Sequence, residues 1–140
     1  MRLWKKSLVL ASAMVMLGGC FKSEAPKCSD PQVIGLVKQI YAENVAEMAK
    51  TNPMFAIFKE AIPSQIVSID SARPVKYDEN IKLRSCKAVA RFDDNRTANI
   101  EYTVQLDEKK SDQFYVEMKF DFLQGLAQQG MMQKIMHDVK

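Results

Sequence analysis

Three cysteines and one histidine are the side chains of this 140-residue sequence best suited to covalent or metal chemistry. A thiol can carry a lipid, join a second thiol, ligate a metal or act as a nucleophile. His137 stands near the C-terminus with no second histidine to share a metal or a triad. It reads as a cation at the end of a helix, where the dipole favours it. Two acidic turns, Asp93-Asp94-Asn95 and Asp107-Glu108 with Asp112, offer oxygen ligands. Neither has the glycine and terminal glutamate at the spacing of a calcium loop, so both read as solvated turns. Asn95-Arg96-Thr97 matches the glycosylation sequon, a pattern short enough to occur by chance. No phosphate loop, nucleotide-binding glycine fingerprint or nucleophile elbow occurs. The expectation is no catalytic residue, no metal and no cofactor.

The chemistry that remains belongs to thiols, and the position of Cys20 separates it from the other two. Arg2, Lys5 and Lys6 precede an apolar or small stretch from Ser7 to Leu17, followed by Gly18, Gly19 and Cys20. A positive end, a short apolar core and small residues at a cut site make a secretory signal. The apolar run is shorter than the roughly 20 residues that cross a bilayer core. Leu17-Gly18-Gly19-Cys20 resembles the lipobox of bacterial lipoproteins. That resemblance implies cleavage before Cys20, a diacylglyceryl group on its thiol, and acylation of the new amino group. Two or more chains anchor a protein stably where one does not, at about 0.8 kcal/mol per buried methylene. In enteric-type bacteria such a protein is held at the inner membrane by Asp after the cysteine. Phe21 in that place implies the outer membrane, with the domain facing the periplasm or the surface.

Processing changes the balance of charge. The precursor has 20 Lys plus Arg against 17 Asp plus Glu, and losing residues 1–19 removes Arg2, Lys5 and Lys6. The mature chain is then near neutral, with no bulk charge for nucleic acid or an anionic surface. Cys28 and Cys86 are left as an even pair in an oxidising compartment and are expected to form a disulfide. Residues 20–28 form a short lipidated tether, and residues 29–140 are enough for one domain.

Hydrophobic periodicity supplies the elements. Asp30-Pro31 opens a helix of about twenty residues, with Val33, Ile34, Val37, Ile40, Tyr41, Val45 and Met48 on one stripe. Asn52-Pro53 opens a second, short one from Met54 to Ile62, which Pro63 stops. The period then falls to two. Ile66, Val67 and Ile69 begin a strand that reaches Val75 and Tyr77, with an edge or bulge at Pro74. Further strands run from Ile81 to Phe92, from Ile100 to Leu106 and from Phe114 to Phe120. Their alternation gives an antiparallel sheet with one wet face. Lys82, Arg84, Lys87, Arg91 and Arg96 crowd one part of it but alternate between faces, so they read as solvated cations. Asp121 caps a last helix, Phe122 to about His137, with Leu123, Leu126, Met132, Ile135 and Met136 facing inward.

The fold class is α+β: an N-terminal helix and a short second helix on a four-stranded antiparallel sheet, with a C-terminal helix. The order resembles the cystatin-like and nuclear-transport-factor-like superfolds, and fold likeness alone carries no function. A non-enzymatic envelope lipoprotein that binds a protein, as an accessory subunit of an envelope assembly, is the leading reading. Its partners are a membrane through the lipid and an envelope protein, with no nucleic acid. Leu126, Met131, Met132, Ile135 and Met136 form the candidate interaction element, since methionine suits adaptable surfaces. A carrier of a small apolar ligand is the alternative, and an envelope hydrolase ranks below it. Replacing Cys20 with Ser is expected to release the protein from membranes or leave the signal uncut; unchanged processing and membrane retention would refute the lipid assignment.

Overall fold

The computed structural model describes residues 15–16, 24–57 and 59–138. Its elements are β1 (Val15–Met16), α1 (Pro31–Thr51), α2 (Pro53–Ile57), a 3-10 turn (Lys59–Ala61), β2 (Ile66–Asp78), β3 (Leu83–Phe92), β4 (Thr97–Leu106), β5 (Gln113–Met118) and α3 (Phe122–Asp138). This is the expected α+β order. Apart from Val15 and Met16, the expected signal peptide lies outside the described residues, as do Cys20 and the first residues of the tether.

Local chemistry sets the helix ends. The Asp30 carboxylate accepts the Gln32 N–H at 2.8 Å, and Pro31 takes the first helical position, where an N–H has no partner to lose. Asn52 serves two helices. Its N–H caps α1 by donating to the Met48 carbonyl, and its side-chain oxygen accepts from the N–H groups of Met54 and Phe55. The short helix expected over Met54 to Ile62 is in fact broken. It ends as α-helix at Ile57 and tightens into the 3-10 turn, whose final carbonyl, that of Ala61, is taken by Arg96.

The sheet order is β1-β5-β4-β3-β2, antiparallel throughout. Strands β2 to β5 are the expected meander, and β1 adds a two-residue pairing at the edge, Val15 opposite Phe114 and Met16 opposite Gln113. Alternation sends Cys86, Ala88, Ala90 and Phe92 of β3, Ile100, Tyr102, Val104 and Leu106 of β4, and Phe114 and Val116 of β5 inward. All of these but Leu106 meet Val33, Leu36, Val37, Ile40, Tyr41 and Val45 of α1 in one core. Each large side chain so buried contributes roughly 1.5–3 kcal/mol. The far edge, β2, is irregular. Three register shifts interrupt its pairing, two of them around Pro74, and Ser71 adopts φ 56°.

Two buried tyrosines tie loops to this core. The Tyr41 hydroxyl donates to the Pro63 carbonyl at 2.6 Å, and the Tyr102 hydroxyl donates to the Cys28 carbonyl at 2.7 Å. Tyr41 also packs its ring 5.2 Å from Phe92, and Phe120 and Phe122 complete an aromatic group where α1, the sheet and α3 meet.

Cys28 and Cys86 are joined, with sulfurs 2.07 Å and Cα atoms 5.8 Å apart, and both are buried. The bridge spans a separation of 58 residues and contributes about 4 kcal/mol in the chain-entropy picture. Of residues 20–28, expected to form a tether, those from Glu24 onward dock on the rest of the chain. Ala25 and Pro26 are buried, the Ala25 N–H donates to the Tyr77 hydroxyl, and Arg84 donates to the carbonyls of Ala25 and Pro26 at 3.0 Å each. Arg84 also lies over the Tyr77 ring at 4.6 Å.

Burial pushes the Tyr102 hydroxyl up to about 12, and raises Tyr41 as well, with help from the carboxylates of Asp93 and Asp94. Tyrosines of the unfolded chain ionise near pH 10. The stability these two groups contribute is therefore complete below about pH 10 and is lost as pH rises through about 12. Tyrosinate absorbance and circular dichroism followed together should show these two residues ionising only as the fold is lost; ionisation of both near pH 10 with the fold intact would contradict the assignment.

Candidate interaction surface

The C-terminal helix is held by one guanidinium. Arg96 follows Asn95 in the β3–β4 turn, where Asn95 adopts φ 71° and the Arg96 N–H donates to the Asp94 side chain. That turn aims the Arg96 side chain off the sheet. Its Nε donates to the Asp94 carboxylate at 2.8 Å, Nη1 to the Leu126 carbonyl at 2.6 Å and Nη2 to the Ala61 carbonyl at 2.6 Å. Only 13 % of the side chain is exposed. One cation thus joins the hairpin, the 3-10 turn and α3 by charge-assisted bonds, which are stronger than neutral ones.

A glycine sets how closely α3 approaches. A Cβ on Gly130 would stand 2.5 Å from the Ala61 carbonyl oxygen and 2.8 Å from its Cα and Cβ. Just past this contact Lys134 reaches Glu60 at 3.5 Å, an exposed pair. The first half of the helix buries Leu123 and Leu126. The second half does not continue that pattern. Met131, Met132, Ile135 and Met136 are 39 to 66 % exposed. At about 100° per residue these four fill one arc roughly 140° wide, centred almost opposite the side on which Gly130 meets Ala61.

The candidate interaction element is therefore corrected in part. Leu126 belongs to the core. Met132, Ile135 and Met136, expected to face inward, face solvent with Met131. After Gly130 every side chain of the helix through His137 is exposed, the apolar stripe included. Met54 and Ile57 of α2, exposed by 63 % and 70 %, lie on the segment leading into the same 3-10 turn. A groove between α3 and the hairpin, lined by Asn95, Thr97, Gln128, Gln129 and Gln133 with Met132 at its margin, adds a polar border.

The basic residues divide by role. Lys87 and Arg91 are solvated, as expected, with Lys87 opposite Glu101 on the next strand. Arg84 and Arg96 are fastenings instead, each largely enclosed and bonded to main-chain carbonyls from distant parts of the sequence. Sequence spacing offered no sign of this, because the carbonyl partners exist only in the folded chain. The acidic turns fold on their own oxygens. Asp107 accepts the N–H groups of Lys109 and Lys110 and the Tyr115 hydroxyl, and the last bond holds its carboxyl below the ordinary range. His137 is exposed in the last turn of α3, with no shared site around it among the described residues.

The two arginines also mark opposite ends of the molecule. Arg84 binds the incoming N-terminal segment at the start of β3, and Arg96 binds α3 just past its end. Ten strand residues span about 33 Å. The apolar half of α3 thus lies a strand length away from the point where the chain leads back toward Cys20.

Two glycines of α3 should respond oppositely to alanine. Around Gly125 nothing lies within 4 Å of an added Cβ, so Gly125→Ala should stabilise by up to about 1 kcal/mol through helix propensity. Gly130→Ala should destabilise by about 1–3 kcal/mol and speed proteolysis of α3, because the Ala61 backbone must move. Equal stabilisation of both variants in thermal unfolding would refute the close approach. Searches of family models, curated proteins and solved structures find no match to this chain.

Proposed function

We propose that the chain is a lipoprotein of the bacterial envelope, anchored through Cys20 after removal of residues 1–19. It acts without catalysis, by binding another protein as an accessory subunit of an envelope assembly. The observation that carries this reading is the exposed apolar arc of α3. An amphipathic helix normally turns its apolar side to the core; here the second half of α3 turns Met131, Met132, Ile135 and Met136 away from it. Contiguous exposed apolar surface marks interaction sites, and methionine adapts to a partner's contours.

The anchor geometry favours a protein over the anchoring membrane as the partner. Glu24 is already docked, so three residues, a reach of about 14 Å at most from Cys20 to Glu24, separate the domain from the lipid on Cys20. The apolar arc sits at the other end of β3, displaced from the anchor by that strand's length. Phe21 favours the outer membrane as the site of the anchor. The alternative, a carrier of a small apolar ligand, draws less support, because Tyr41, Phe92, Tyr102, Ile100 and Val104 fill the layer between α1 and the sheet.

A photo-crosslinking residue placed at Met132 or Met136 of the anchored protein in cells should yield one discrete protein adduct. The same group at Lys76, on the irregular edge strand, should not, and Met132→Asp with Met136→Asp should abolish the partner's co-purification. Indiscriminate adducts from all three positions, or adducts with lipid alone, would overturn the reading.

A further inference from the structure

The two edges of the sheet are built differently. The β2 edge is guarded: its pairing shifts three times, Pro74 removes a donor, Ser71 sits at φ 56°, and Arg73 and Lys76 add exposed charge. Such devices keep foreign strands from adding to a sheet. The β5 edge has none of them. Gln113–Met118 pairs with β4 in unbroken register and contains no proline, no lysine and one charge, Glu117.

The direction of its backbone groups follows from that register. The Gln113 carbonyl accepts from Asp107 and the Lys119 N–H donates to Glu101, both on the β4 side. With a period of two, Tyr115 and Glu117 also bond toward β4, so Phe114, Val116 and Met118 direct their N–H and C=O groups outward. It is here that β1 sits, with Val15 opposite Phe114. At this end the edge thus takes two apolar residues of an antiparallel strand, Val15 and Met16, in this structure. That segment lies within residues 1–19.

We propose that cleavage before Cys20 opens the β5 edge, and that the mature protein uses it to bind an extended apolar segment of another protein by strand addition. The inference rests on the processing reading given above. Main-chain bonds from Phe114, Val116 and Met118 supply affinity in this mode, and alternate side chains of the added strand supply selectivity. The precursor occupies the Gln113–Phe114 end of the site with its own Met16 and Val15, and export vacates it. What the edge holds here is a single apolar strand, so the occupant is a partner's extended segment and not the β5 edge of a second copy.

The test begins with mass spectrometry of the protein made in cells, followed by amide exchange. A chain starting at Cys20, with the Phe114 amide, which faces Val15, exchanging at least tenfold faster than in a precursor left uncut, is the expected result. A synthetic peptide of residues 11–18 added to the mature protein should restore that protection. Met118→Pro, which removes an outward N–H and no β4 bond, should weaken peptide binding at least tenfold, while Met118→Ala should not. A chain still starting at Met1 overturns the processing reading and this one with it. A chain starting at Cys20 whose edge amides stay protected, or which ignores the peptide, overturns this inference alone. So does a concentration-dependent dimer that disappears in Met118→Pro.

Discussion

The arrangement of the C-terminal third depends on the Arg96 guanidinium. Its three nitrogens bind a carboxylate of its own turn and two main-chain carbonyls, one from the 3-10 turn and one from α3. A cation this enclosed is tolerated only because every nitrogen is bonded and a carboxylate lies beside it. Those same bonds fix the height and tilt at which α3 leaves the sheet. Gly130 then lets the helix backbone come close to Ala61, and the side chains beyond it are exposed. Met131 to Met136 are thus exposed on a helix that is itself docked, through Arg96 and the buried Leu123 and Leu126.

Arg84 does the corresponding work at the other end. It takes the carbonyls of Ala25 and Pro26 and rests on Tyr77, while Tyr102 takes the carbonyl of Cys28 and the disulfide joins that residue to β3. Together with the Ala25 N–H bond to Tyr77, these interactions hold a segment of five residues, Glu24 to Cys28. The bond from Tyr102 explains why a strand residue that could have been purely apolar carries a hydroxyl.

The sheet and α1 were legible in the sequence because their periods are enforced by burial over many residues. Cys86 to Phe92 and Ile100 to Leu106 alternate without a break, and the Asp30-Pro31 opening has a local chemistry that needs no tertiary context. The pairing of Cys28 with Cys86 was legible once Cys20 was set aside. The roles of Arg84 and Arg96 were not, since a side chain that binds distant carbonyls leaves no periodic trace. The orientation of α3 was misread for a related reason. Met132, Ile135 and Met136 recur at helical spacing, and that spacing shows that a face is apolar but not which way it points. The bond that satisfies the Ala61 carbonyl at the end of the 3-10 turn comes from Arg96, 35 residues away, and leaves no trace in local sequence.

The disulfide has a mechanical consequence. A pull applied to the chain ahead of Cys28 reaches the S–S bond within a few residues and passes directly into Cys86, on a strand paired on both sides. From there the covalent path to α3 runs through β3, β4 and β5. Residues 29 to 85, which include α1, α2 and β2, hang on that path as a closed loop and carry no tension along their backbone. A domain held at its N-terminal end and gripped at its C-terminal helix would therefore be loaded along its most densely bonded strands, with its longest helix spared.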